Sequence, residues 1–124
     1  MFEFLDSKNL KTLTWGPLSS RLLTGWYLDK TYLRPNSRIE LGRENNSKNN
    51  TLNKISTKNI LNKISDYCLK FNISAQVSSL LWILKTKPNN SPLIGPSSIN
   101  QFTQLVKEVN NEKYKNIDFS SLSI

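Results

Sequence analysis

A chain of 124 residues with 17 Lys and Arg against 9 Asp and Glu, a net charge of +8, has room for one small domain rather than two independent cores. The single cysteine, Cys68, excludes an internal disulfide framework and fits a reducing compartment, so cytoplasm is the expected location. No run reaches the roughly eighteen apolar residues that a bilayer span needs, and no membrane insertion is expected. The opening Met1-Phe2-Glu3-Phe4-Leu5-Asp6 lacks the basic-then-apolar order of a secretion signal. The positive charge does not point to nucleic acid. Its lysines are scattered from Lys8 to Lys115 and travel with asparagines, as in Asn45-Asn46-Ser47-Lys48-Asn49-Asn50. Phosphate-backbone binders gather such charges on one face and interleave aromatic rings, and no specific nucleic-acid partner is expected.

In chain order, Phe2–Asp6 reads as the tail of a helix closed by Ser7-Lys8-Asn9, asparagine being tolerated in the left-handed conformation. Leu10–Trp15 reads as a short strand stopped by Gly16-Pro17. Leu18–Tyr32 is rich in large apolar residues without a period and reads as a structured loop. Pro35–Lys58 is polar and low in complexity. Ile60, Leu61, Ile64, Tyr67, Cys68 and Phe71 recur at helical spacing. Ser74 is placed to cap a second helix carrying Val77, Leu80, Leu81 and Leu84, broken at Pro88-Asn89-Asn90. Pro92-Leu93-Ile94 reads as a very short buried strand ending at Gly95. Ser97 or Ser98 then caps a final helix with a stripe of Ile99, Phe102, Val106 and Val109.

Strands separated by helices indicate a parallel sheet and an α/β class. Two parallel strands make no stable sheet alone, because they need neighbours on both edges and helices on both faces. The pattern therefore implies an incomplete sheet, or one that borrows strands from a partner.

Two segments carry candidate chemistry. The first runs Trp15-Gly16-Pro17-Leu18-Ser19-Ser20-Arg21-Leu22-Leu23-Thr24-Gly25-Trp26-Tyr27, the second Ser91-Pro92-Leu93-Ile94-Gly95-Pro96-Ser97-Ser98-Ile99-Asn100-Gln101-Phe102. In the second, a strand ends at a glycine, hydroxyl residues follow and a helix begins. Backbone N–H groups and the positive dipole end then face one point, a place for a phosphate, although most such turns are merely capped.

Together the two segments resemble the seventh- and eighth-strand motifs of the aldo/keto reductases. Pro35-Asn36-Ser37-Arg38 is similar to that family's Ser-Arg element, and Trp82 and Leu84 fall at its helical Ala-Trp-x-Leu segment. The nearest branch by these motifs is that of the potassium-channel β subunits and related bacterial reductases. The resemblance implies the C-terminal portion of a TIM (β/α)8 barrel, with its last two parallel strands and their helices. It implies one partial NADP-dependent oxidoreductase domain over 1–124, with an Asn/Lys-rich insertion at about 43–58 expected to be mobile. By the same resemblance, Trp15 stacks on the nicotinamide ring of NADP(H), while Gly16, Pro17, Leu18, Ser19 and Ser20 line the pyrophosphate. Arg38 meets the phosphates with a bidentate fork, Gly95 and Ser97 form the adenosine-phosphate turn, and Gln101 and Gln104 lie around the adenine. Packing in the core is the competing role for Trp15, Leu18 and Trp82.

The chain departs from the family pattern at Arg21 (usually glycine), Trp26 (usually basic) and Leu105 (usually the asparagine that reads adenine). Each lost contact is worth roughly 1–3 kcal/mol where a buried partner stays unpaired, so cofactor binding is expected to be weak or vestigial. The family's hydride transfer uses an Asp, a Tyr, a Lys and a His from the first half of the barrel. No such segment is present, and the sequence has no histidine. No catalytic residue and no metal cluster is assigned, Cys68 reads as core, and the chain alone is expected to be inactive. The resemblance thus implies a truncated reductase-like oxidoreductase partnered by a complementary N-terminal barrel half or by further copies of itself. The alternative is a non-catalytic regulatory or interaction protein related to the channel β subunits.

Overall fold

A computed structural model describes residues 2–19, 22–25, 27, 36, 55–87, 89–120 and 122. Most of the Asn/Lys-rich insertion, together with Ser20, Arg21, Trp26 and Arg38, lies outside the described residues. The elements are α1 (Phe2–Ser7), β1 (Thr12–Trp15), a 3-10 turn (Leu22–Thr24), α2 (Ile55–Phe71), α3 (Ala75–Thr86), β2 (Asn90–Leu93), α4 (Ile99–Val109) and a 3-10 turn (Glu112–Tyr114). The strand–helix alternation read from the sequence is present. Boundaries moved by a few residues. β2 starts two residues earlier than the apolar run suggests, and α2 begins at Ile55, so residues 55–58 are helical rather than part of the polar tract.

The chain divides into two compact units, Met1–Pro17 with Val77–Ser123, and Leu18–Gln76 with Ile124. In the second unit, α2 turns Leu61, Ile64 and Tyr67 inward, the three-and-four spacing that defines one helical face. Ile64 is fully buried, and the Tyr67 and Phe71 rings lie 4.6 Å apart at 49°. Cys68, on the flank of the same stripe, is half-buried. Asn72 ends the helix with φ of 48°, as Asn9 ends α1 with φ of 52°. Asparagine accepts this left-handed conformation at lower cost than most side chains.

In the first unit, β1 and β2 are parallel neighbours, with Thr12 opposite Asn90, Leu13 opposite Ser91, Thr14 opposite Pro92 and Trp15 opposite Leu93. Thr12 N–H donates to Asn89 O at 2.9 Å, and this fixes which residues face the partner strand. Backbone groups alternate in direction along a strand, so Thr12 and Thr14 bond across the pair while Leu13 and Trp15 face the outer edge of β1. On β2 the same alternation turns Asn90 and Pro92 outward. Asn90 N–H accordingly bonds back to Lys87 O at 2.8 Å. Pro92 is tolerated because the N–H it lacks would not have joined the ladder.

The two faces of the pair differ. Asn90 is buried, and Thr12, Thr14 and Pro92 are half-buried on one face. On that face the Thr14 hydroxyl donates to Asn90 Oδ1. On the other face Leu13, Trp15 and Leu93 are exposed. The unit's buried apolar residues come from α3 (Val77, Leu80, Leu81, Ile83), from α4 (Leu105) and from Tyr114, Phe119 and Leu122 near its C-terminal end.

The stripe expected on α4 is out of phase with the core. Ile99, Phe102 and Val106 are exposed, Val109 is half-buried, and Leu105 is the buried residue. Helical periodicity locates a face but does not say which neighbour will cover it.

Asn90 is the polar centre of this pair. Replacing Asn90 by Ala leaves the Thr14 hydroxyl without this acceptor and should cost about 1–3 kcal/mol of stability. The expected signature is a lower urea midpoint with an unchanged slope.

Candidate functional site

The site residues expected from sequence divide three ways. Trp15, Gly16, Pro17, Gly95, Ser97, Gln101 and Gln104 lie in the first unit, and Leu18 and Ser19 in the second. Ser20 and Arg38 fall outside the described residues.

Within the first unit the register brings the two candidate turns to one end of the sheet. Trp15 and Leu93 are opposite one another as the last residues of their strands, about 4.8 Å apart by ordinary strand spacing. Gly16-Pro17 leaves β1 there, and Ile94-Gly95-Pro96-Ser97 leaves β2 there toward α4. Segments separated by nearly eighty positions in the chain therefore emerge side by side.

Trp15 is not a core residue. Its side chain is 82% exposed on the open face of the pair. Trp82 and Leu18, weighed beside it as core residues, are half-buried. An exposed flat ring at a strand end is placed to stack on another flat group.

The two glycines differ in kind. Gly16 has φ of +68°, a conformation that side chains resist, and it is needed for the turn itself. Gly95 has no such φ, and a Cβ built there meets nothing within 4 Å. Neither backbone conformation nor crowding by the described residues accounts for glycine at 95. The bare backbone faces open space.

After Gly95 the chain enters α4 through a cap. Ser98 has extended backbone, and its Oγ accepts from Gln101 N–H at 3.2 Å. Gln101 Oε1 in turn accepts from Ser97 N–H at 2.8 Å. The reciprocal bonds resemble a capping box shifted by one residue. Ser97 N–H and the Gln101 side chain, both expected at a cofactor, are thus bonded to each other here. Gln104 is exposed one turn further along. Leu105, at the position expected for adenine reading, is buried, which accounts for a leucine there through packing.

Sequence reasoning missed the C-terminal end. Tyr114, Phe119 and Leu122 are almost fully buried, and Lys85 bonds to the same segment. Three apolar residues spaced through a polar tail were the available signal. Among the described residues no cluster of His, Cys, Asp or Glu could hold a metal ion, and no helix is long and apolar enough to cross a membrane.

A parallel pair joined through helices, with both C-terminal turns at one end, belongs to the α/β class, in which ligands commonly meet the carboxyl ends of strands. The chain matches the model of the aldo/keto reductase family over residues 1–123, and it belongs to that family. No curated protein and no solved structure matches it. Membership gives an oxidoreductase-type lineage whose fold is the TIM barrel, and the two parallel strands seen here are consistent with part of one.

The two serines before α4 have separate jobs, and substitution should separate them. Ser98→Ala should cost about 1 kcal/mol of helix stability through loss of the cap, with loss of helical circular dichroism. Ser97→Ala keeps the backbone N–H that Gln101 accepts and should change stability by less than about 0.5 kcal/mol.

Proposed function

We propose that this chain is the dinucleotide-facing portion of an NADP-dependent aldo/keto reductase-type oxidoreductase. It gains activity only when a complementary barrel half supplies the Asp, Tyr, Lys and His of hydride transfer. The observation that carries the reading is the register of the strand pair, with Trp15 level with Leu93 and the turns at Gly16 and Gly95 leaving from the same end.

The residues present fit a dinucleotide. The exposed Trp15 ring would stack on the nicotinamide, and the bare backbone at Gly95 leaves room for a phosphate to approach. Gly16, Pro17, Leu18, Ser19 and Ser20 would follow the pyrophosphate. Arg38 would pair with phosphate oxygens, and Gln101 and Gln104 would lie toward the adenine. For Ser97 N–H to reach a phosphate, its bond to Gln101 must open, a cost that lowers affinity. When bound in a complete site, the cofactor supplies a hydride to an aldehyde or ketone. The role of these residues is to hold and orient it.

A second reading, a non-catalytic interaction subunit akin to the potassium-channel β subunits, draws on the exposed Ile99, Phe102 and Val106 of α4. Carbonyl reduction by the complemented barrel separates the two, because an interaction subunit would show none.

Titrating NADPH into the chain alone should give no saturable quenching of tryptophan fluorescence at micromolar concentrations. The chain mixed with the first six strand–helix units of an aldo/keto reductase barrel should give saturable quenching that weakens in Trp15→Phe. A folded complex that never binds NADPH would refute the proposal. Gly95→Ala offers a cleaner separation of fold from binding. With a compatible φ and open space, it should leave stability unchanged or raise it by up to about 1 kcal/mol. In the complex it should reduce NADPH affinity, by roughly tenfold if the added methyl removes about 1.4 kcal/mol of phosphate contact.

A further inference from the structure

A second polar cluster lies in the first unit, at the end where the strands begin and away from the turns at Gly16 and Gly95. Lys85 occupies the last turn of α3, shortly before β2 starts. Its Nζ donates to the carbonyls of Tyr114 at 2.7 Å, Lys115 at 2.8 Å and Ile117 at 3.3 Å. It also lies 5.0 Å from the centroid of the Phe119 ring. An ammonium has three N–H donors and no acceptor, so three carbonyls match its full capacity. The ring face adds an attraction that only a cation receives.

The carbonyls belong to residues 114–117, at the end of the second 3-10 turn, where main-chain acceptors run out of helical donors. Short-range backbone bonds run along this segment: Tyr114 N–H to Asn111 O, Lys115 N–H to Glu112 O, Ile117 N–H to Tyr114 O and Leu122 N–H to Phe119 O. Asp118 accepts from Ser120, whose side chain and backbone N–H hold its carboxyl below the ordinary range. Buried side chains anchor the segment and the residue just beyond it. Tyr114, Phe119 and Leu122 are 3%, 1% and 2% exposed, whereas Lys113, Lys115, Asn116, Asp118 and Ser120 between them face solvent. A longer bond of 3.4 Å runs from Tyr114 Oη to Glu108. Beside the latch an open hollow is lined by Leu81, Lys85, Val109, Asn111 and Tyr114, so the segment is not sealed flush against the helices.

We infer that residues 112–120 form a strap that opens as a unit, and that Lys85 is its charge-dependent latch. The cation draws the Tyr114, Lys115 and Ile117 carbonyls to one point. Without it the buried Tyr114 and Phe119, with Leu122 just beyond, must hold the strap. A segment whose backbone bonds run between near neighbours is of the kind that opens below the free energy of global unfolding. This inference is independent of the cofactor reading, because it uses none of the same residues and its test reads no ligand.

The test is amide hydrogen exchange on the full chain, comparing the parent with Lys85→Met, which has nearly the same length and no charge. The expected result is at least tenfold faster exchange at Tyr114, Lys115 and Ile117, with α2 amides from Leu61 to Lys70 unchanged. Lys85→Arg, which keeps the charge, should stay closer to the parent than to Lys85→Met. Three results would overturn the inference. One is parental exchange in Lys85→Met. Another is equal acceleration in α2, which would mean general loosening. The last is opening in Lys85→Arg as complete as in Lys85→Met.

Discussion

The register between β1 and β2 is the constraint on which the functional reading rests. It is fixed by the Thr12 N–H bond to Asn89 O and by the Thr14–Asn90 side-chain bond on the covered face. A slip of one residue would put Leu13 and Trp15 on the covered face and the threonines on the open one, because side chains alternate with a period of two. Trp15 would then be a packing residue. As it stands, the ring is exposed and level with Leu93, and the two candidate turns share one end of the sheet.

The two ends of the strand pair differ in the first unit. One end carries the turns at Gly16 and Gly95 and the capped start of α4, where backbone is bare and a flat ring is open. The other carries the C-terminal strap and Lys85, where buried rings and a satisfied cation meet. In barrels of this type the carboxyl ends of strands hold chemistry and the opposite end holds stability. The residues found at each end of this pair suit that division.

Two groups of exposed apolar residues lie in the first unit. They are Leu13, Trp15 and Leu93 on the sheet, and Ile99, Phe102 and Val106 on α4; complete parallel sheets are covered by helices on both faces. A two-stranded parallel sheet offers neither neighbours on both edges nor cover on both faces. Periodicity placed α4 correctly yet misjudged its buried side: Ile99, Phe102 and Val106 stay exposed while Leu105 packs inward.

Much was legible from the residues themselves. Asn9 as a helix terminator, a serine cap at 97 or 98 (the structure uses Ser98), the stripe of Leu61, Ile64 and Tyr67, and the parallel alternation follow from local geometry, which depends only on near neighbours in sequence. The paired motifs pointed to the aldo/keto reductase family, which the match over residues 1–123 shows. Tertiary structure decided what local rules could not reach. It placed Trp15 beside Leu93, turned Leu105 inward, tied Gln101 to Ser97 and bound Lys85 to carbonyls some thirty residues away. Each of these depends on which distant segment arrives at a given surface, and periodicity carries no information about arrival.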